Sequence, residues 1–175
     1  MNSINEGRKG DMLRETTEQK FDVTMPACLT IANIRGSVDV QASDDGVVTI
    51  TAVKHLETGD SDRTEIKIRQ KEDGSVAVKT VFEEGGWRLF TPRHPCKVDY
   101  TVRVPRDCAL KVRCVSSSAL VQDLKGKFDV KTVSGRVTLR DLSGKIKVSS
   151  VSGRILGERL VVVRQSSSLY PAKCP

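Results

Sequence analysis

VSSSALVQD (Val115–Asp123), LKGKFDVKT (Leu124–Thr132), VSGRVTLRD (Val133–Asp141), LSGKIKVSS (Leu142–Ser150) and VSGRILGER (Val151–Arg159) follow one another without a gap. Each nine-residue unit opens on an aliphatic residue and carries further apolar residues at its fifth and, mostly, seventh positions. Fixed-period self-similarity of this kind marks a stacked architecture, in which a unit hides its apolar face only against its neighbours. The first positions alternate Val115, Leu124, Val133, Leu142, Val151, Leu160, so the full period is eighteen residues.

Within a unit, positions one, five and seven share one parity, as in Val133, Val137 and Leu139. This is the period-two pattern of a strand with one buried face. Position three has the same parity and is Gly126, Gly135, Gly144 and Gly153, which suits a sharp corner with close approach of a neighbouring strand. From position seven to the next position one the apolar step is three, so the chain must turn to keep both residues inside. The pattern predicts an all-β fold, a parallel β-solenoid or β-helix with two strands per eighteen-residue coil and Val and Leu in stacked columns. Right-handed coils are the expectation. An antiparallel meander with nine-residue spacing is the rival arrangement.

The same grammar appears earlier in Ile34-Arg35-Gly36-Ser37-Val38-Asp39-Val40, and Ile34 precedes Val133 by eleven whole units. Leu29 and Ile31 extend it backwards. Val48 and Ile50 extend it forwards after the Ser43-Asp44-Asp45-Gly46 turn. Thr64 to Gln70 and Ser75 to Phe82, around Glu72-Asp73-Gly74, read as a β-hairpin. Tyr100 to Val104, closed by Pro105, leads into the regular units. The amino-terminal β part is thus more irregular than the repeat.

Three runs carry a family resemblance: PACLTIANIRGSVDV, KVDYTVRVPRDCALKVR and SSSALVQDLKGKFDVKTVSGRVTLRDLSGKIKVSSVSGRI. They resemble the bacterial DUF4097 family, often labelled putative adhesin, over roughly residues 21 to 160. The most specific parts are Tyr100-Thr101-Val102-Arg103-Val104-Pro105 and the paired Val-Ser-Gly segments at Val133 and Val151. The resemblance implies an all-β solenoid domain without established catalysis, and the family has no catalytic motif to carry over. The chain departs from the family pattern after Leu160, where Val161-Val162-Val163-Arg164-Gln165 replaces the next unit.

Three segments follow from this reading. Residues 1 to 20 have almost no apolar periodicity and are expected to form a flexible arm. Residues 21 to 160 form the repeat domain, and 161 to 175 an atypical tail, either a truncated coil or a cap. An uncapped last coil would offer an unpaired strand edge and apolar valines, a template for self-association. The 175 residues suffice for a substantial core, and with 4% aromatic content it is filled by Val, Leu and Ile.

No run reaches the apolar length of a membrane span, and the amino terminus lacks an apolar signal core, so cytoplasmic residence is the expectation, with cell-envelope association the alternative. Cys28, Cys96, Cys108, Cys114 and Cys174 lack metal-ligand spacing, and their odd number fits a reducing compartment and idle thiols. Cys108 and Cys114 could approach across a corner.

The charge of +7 is concentrated in the repeat. From Lys125 to Arg164 ten basic residues face only Asp129, Asp141 and Glu158. In a stack, Lys127 lies under Lys145, Arg136 under Arg154, and Arg113 under Lys131, forming basic ladders that suit an anionic polysaccharide or lipid headgroups. Solvated lysines that keep a sheet soluble are the simpler account of the same residues. Nucleic acid is the less favoured target, because aromatics for base stacking are missing.

The loop Glu83 to Cys96 holds Trp87, Arg88, Phe90 and Arg93, which could anchor a protein partner or cover an open end. His94, Cys96 and His55 are too few and too irregularly spaced to predict a metal site. No nucleophile elbow, phosphate loop or zinc-protease motif is present, so neither an enzyme nor a cofactor is expected. Asp123 and Asp141 form a column beside Arg140 and Lys125, where ion pairing is the ordinary reading. The function predicted is a non-catalytic interaction or scaffold module, with anionic polymer or headgroup binding as the alternative.

Overall fold

A computed structural model describes residues 13–83 and 93–163. Ten strands form one sheet: β1 (Arg14–Asp22), β2 (Ala27–Ser43), β3 (Val47–His55), β4 (Thr64–Gln70), β5 (Val76–Phe82), β6 (Lys97–Pro105), β7 (Asp107–Gln122), β8 (Lys125–Arg140), β9 (Ser143–Glu158) and β10 (Val161–Val162). Two short 3-10 turns, Leu56–Thr58 and Ser61–Arg63, join β3 to β4, and the described residues contain no α-helix.

The repeat pairs in parallel. Asp107 lies opposite Lys125 and Lys125 opposite Ser143, so β7, β8 and β9 stack in the eighteen-residue register that the Val and Leu alternation predicts. The meander is excluded here. The outlying β2 joins the same stack, with Leu29 opposite Leu110 and Val38 opposite Ala119. The spacing of Ile34 from Val133 expressed that register at a distance. The hairpin is likewise present, with β4 and β5 antiparallel around a left-handed Gly74.

Each eighteen-residue period runs as one sixteen-residue strand followed by a two-residue link. Three expectations are corrected. The flexible arm expected through residue 20 gives way at Arg14 to β1, which pairs antiparallel with β3. Cys108 and Cys114 stand six positions apart on the same strand, too far to meet. They are free and buried, as is Cys96, and burial pushes the Cys108 and Cys114 thiols up to about 12 and about 11. Cys28, by contrast, is disulfide-bonded, which departs from the expectation of idle thiols.

Burial also changes phase within a strand. In β8 the inward side chains are Phe128, Val130 and Thr132, then Val137 and Leu139, and Leu142 follows in the link beyond. The parity therefore switches around Gly135 and again at Asp141. Gly135 has φ +135°, and a Cβ there would lie 2.3 Å from the Ser117 carbonyl oxygen, so only glycine lets the two strands touch at this bend. The second switch places Asp123, Asp141 and Arg159 in the left-handed region at equivalent positions of successive periods.

The consequence reverses one column. Val115, Val133 and Val151 were expected inside, yet Val133 is 48% and Val151 82% exposed. The preceding position goes inward instead: Asn33, Cys114 and Thr132 lie side by side and buried. Thr132 tolerates this because its hydroxyl donates back to the Ser134 carbonyl at 3.2 Å.

Candidate interaction surfaces

Three surfaces stand out: an apolar trough beside the bend, basic residues on the outward faces, and the exposed end of the stack.

The trough begins where one edge of β2 changes partner. β5 accompanies β2 as far as Ala32 opposite Lys79, and β6 takes over at Gly36 opposite Val98. Asn33 ties the changeover together. Its Nδ2 donates to the Val98 carbonyl on β6 at 2.8 Å, while its Oδ1 accepts from Thr80 Oγ1 on β5 at 3.0 Å. The Thr80 hydroxyl proton is committed there, so Tyr100 donates across their 2.7 Å contact. Burial pushes the Tyr100 phenol up to about 12. With this seam fixed, the last residues of β5 diverge from the bend and leave a trough of about 650 Å³. Val81 and Phe82 line it on the β5 side, and Ile34, Val115, Val133 and Val151 stand along the bend. Among the described residues its cationic lining is Lys79, Arg113 and Lys131, and no acidic residue lines it.

The basic pairs fall in the register expected, with Lys127 opposite Lys145, Arg136 opposite Arg154 and Arg113 opposite Lys131. They do not form one surface, because the phase change at Gly135 separates Lys127 and Lys145 on the first stretch of each strand from Arg136 and Arg154 on the second. Arg113 is committed: its guanidinium donates to the Asp129 carboxylate at 2.6 Å and to the Val112 and Asp129 carbonyls. That bond holds the Asp129 carboxyl below its ordinary value. Lys127, Lys131, Arg136, Lys145 and Arg154 are exposed. Arg136 and Arg140 edge a shallow polar depression with Ser37, Asp39, Ser118 and Thr138. Burial raises the Asp39 carboxyl there.

The last described stretch of the stack is apolar and exposed. Ile155, Leu156, Val161, Val162 and Val163 are exposed, and β10 pairs only with Ser143 and Gly144 of β9. From Lys145 onward, the outer edge of β9 has no partner strand among the described residues. At the last corner Arg159 makes a bidentate ion pair with Asp141, at 2.5 and 2.7 Å. The pair depresses the Asp141 carboxyl, so Asp141 is ion-paired at its corner, whereas Asp123 has no ion-pair partner among the described residues.

Of the loop residues singled out from sequence, Trp87, Arg88 and Phe90 lie outside the described residues, and Arg93 is exposed. Sequence reasoning missed a cluster in which Asp99 accepts from Ser37 Oγ at 2.7 Å and bonds His55 Nε2 at 2.6 Å. The carboxylate sits between hydroxyl and imidazole, so the imidazole is not placed to take the serine proton. No group of three metal-ligating side chains occurs among the described residues, and no helix there is long and apolar enough to cross a membrane.

The fold has a solved counterpart. A putative cell adhesion protein from Clostridium sporogenes superposes with a TM-score of 0.52 at 7% identity, over 82% of this chain and 99% of that one. At that identity the likeness is one of fold. A putative adhesin from Bacteroides fragilis (TM-score 0.38, 8% identity, 85% of this chain and 97% of that one) and another from Parabacteroides merdae (TM-score 0.38, 13% identity, 81% and 58%) are looser. No protein-family model and no curated protein matches the chain.

Proposed function

We propose that this chain is a non-catalytic, adhesin-like interaction module of the DUF4097 type, built as a β-solenoid whose open end at β9 and β10 associates with a second copy. Support for the coil comes from connection length. A sixteen-residue strand laid straight spans about 50 Å, yet a two-residue link suffices before the next parallel strand begins in register. A chain that has curled back on itself at the two phase changes satisfies both facts.

The observation that carries the association is the apolar end surface, where Ile155 is exposed although its register partner Val137 is fully buried. That surface is the kind that β7 offers to β8 and β8 to β9, so a strand of like sequence is the partner it fits. Light scattering with size-exclusion chromatography on the parent and on an Ile155→Lys, Leu156→Lys variant tests it. The parent is expected to assemble with concentration at low and high salt alike, and the variant to stay monomeric. A parent that is monomeric throughout removes the reading.

A second reading, binding of anionic polysaccharide or lipid headgroups, is favoured by the exposed pairs Lys127 with Lys145 and Arg136 with Arg154. It expects salt-sensitive binding to heparin or anionic vesicles that falls when Arg136 and Arg154 become Glu with the fold intact. Binding indifferent to salt and to both substitutions counts against it.

A further inference from the structure

We infer that the trough beside the bend is a binding site for a long-chain alkyl carboxylate. The site is distinct from the end surface at Ile155 and Leu156 and from the exposed pairs Lys127 with Lys145 and Arg136 with Arg154, and stands whether or not either reading above survives.

Three observations converge. The first is an inversion of burial: Val115, Val133 and Val151 face outward at the bend, although each begins a repeat unit in which Leu124 and Leu142, at the alternate starts, are buried. An aliphatic column kept in a repeat yet turned to solvent is a surface that loses free energy by staying wet. The second is shape. The Val column and Ile34 cross four strands, so the trough runs about 14 Å from three strand spacings, on the order of an extended dodecyl chain. Val81 and Phe82 supply the opposite wall, and the volume of about 650 Å³ lies in the range of small-molecule sites.

The third is charge. Among the described residues, Lys79, Arg113 and Lys131 line the trough and no acidic residue does. Arg113 is occupied by Asp129, whereas Lys79 and Lys131 are exposed and have no ion-pair partner among the described residues. An occupant with one apolar chain and one anionic end meets both features at once. The floor is held by the Asn33, Thr80 and Tyr100 bonds, so the site is formed before a ligand arrives. A preformed apolar cleft limits the ordering cost of binding.

The experiment is calorimetric titration of the full chain with dodecanoate below its micellar concentration, with dodecyltrimethylammonium and butyrate as controls. Val133→Ser, Val115→Ser and Lys131→Glu variants are titrated alongside, after circular dichroism and melting confirm their fold. Val115 and Val133 are already half exposed, so their replacement leaves the core intact. Expected is saturable binding at one site per chain with a negative heat-capacity change. Each valine substitution should weaken it about tenfold, the worth of one buried aliphatic side chain, and Lys131→Glu should weaken it more at low salt than at high. The cationic surfactant and butyrate should bind far more weakly. Absence of saturable dodecanoate binding overturns the inference, as does equal binding of the cationic surfactant. So does a chain whose trough variants change oligomeric state without dodecanoate binding, since a second copy would then be the occupant. Because Ile155 and Leu156 lie outside the trough, the Ile155→Lys, Leu156→Lys variant should bind dodecanoate unchanged, which separates failure here from failure of the self-association reading.

Discussion

The second stretches of β8 and β9 begin with the same four residues, Val-Ser-Gly-Arg, and pair with each other from Ser134 opposite Ser152 onward, yet one is core and the other is surface. Val137 is fully buried while Ile155 opposite it is 44% exposed. β8 has a strand on each side, whereas the far stretch of β9 has one on a single side among the described residues. In a stack, burial belongs to the neighbour and not to the pattern. The end strand also departs in composition: Leu156 replaces the outward Thr138 and Gly157 the inward Leu139. Apolar character has moved from the core side to the outer side in this last described long strand.

The largest effect should come from the glycines that set the bend. Gly135→Ala must place a side chain at φ +135° and within 2.3 Å of a backbone carbonyl, between two strands that both hold position. A loss of about 3 kcal/mol is expected, read as a shift of the urea midpoint. Gly153→Ala meets the Gly135 carbonyl at 2.1 Å, but its own φ is unexceptional and β9 can move outward. A loss of about 1 kcal/mol is expected there. Equal losses would mean that β9 is held as firmly as β8.

Side-chain truncation sharpens the same contrast. Val137→Ala removes two methyl groups from a fully buried position and should cost about 2 kcal/mol. Ile155→Ala removes more atoms but should cost less than about 0.5 kcal/mol in dilute monomer. The order reverses in an assembly assay, where Ile155→Ala weakens association and Val137→Ala leaves it unchanged once folded. A large monomer cost at Ile155 would indicate that the end surface is already covered.

Much of the register was legible beforehand. The Val and Leu alternation expressed the eighteen-residue pairing, and the distance from Ile34 to Val133 placed β2 in the same stack. Turn residues marked the hairpin. The exposed Val column was not legible, because hydrophobicity alone sends Val133 inward and Thr132 outward. Thr132 goes in because its hydroxyl finds the Ser134 carbonyl, and Asn33 because it finds partners on both β5 and β6. Those partners depend on contacts far apart in sequence, which no repeat period records. The trough exists for the same reason, so the candidate site was invisible until β5 and the bend were placed together. The basic pairs were legible in register but not in facing, since the phase change at Gly135 divides them between two stretches.

The smallest effect concerns the two carboxylates held by arginine. Arg113 with Asp129 ties β7 to β8 inside the stack, while Arg159 with Asp141 ties the corner after β8 to the corner after β9. Arg113 and Arg159 lower the respective carboxyl pKa values through their hydrogen bonds. A folded pKa below the unfolded value means stabilisation that is fully present above about pH 4 and is lost as pH falls through the lower folded value. Asp129→Asn should therefore lower the urea midpoint at pH 7 by the equivalent of at most about 1 kcal/mol, given its partial exposure, and the difference from the parent should shrink as pH falls below about 4. Asp141→Asn should leave the global midpoint where it is and instead speed amide exchange around Arg159 and Val161 at neutral pH, because the end of the stack opens independently of its middle. If both substitutions move the global midpoint alike, β9 unfolds as one unit with β7 and β8, and the contrast between core and end strand is one of exposure alone.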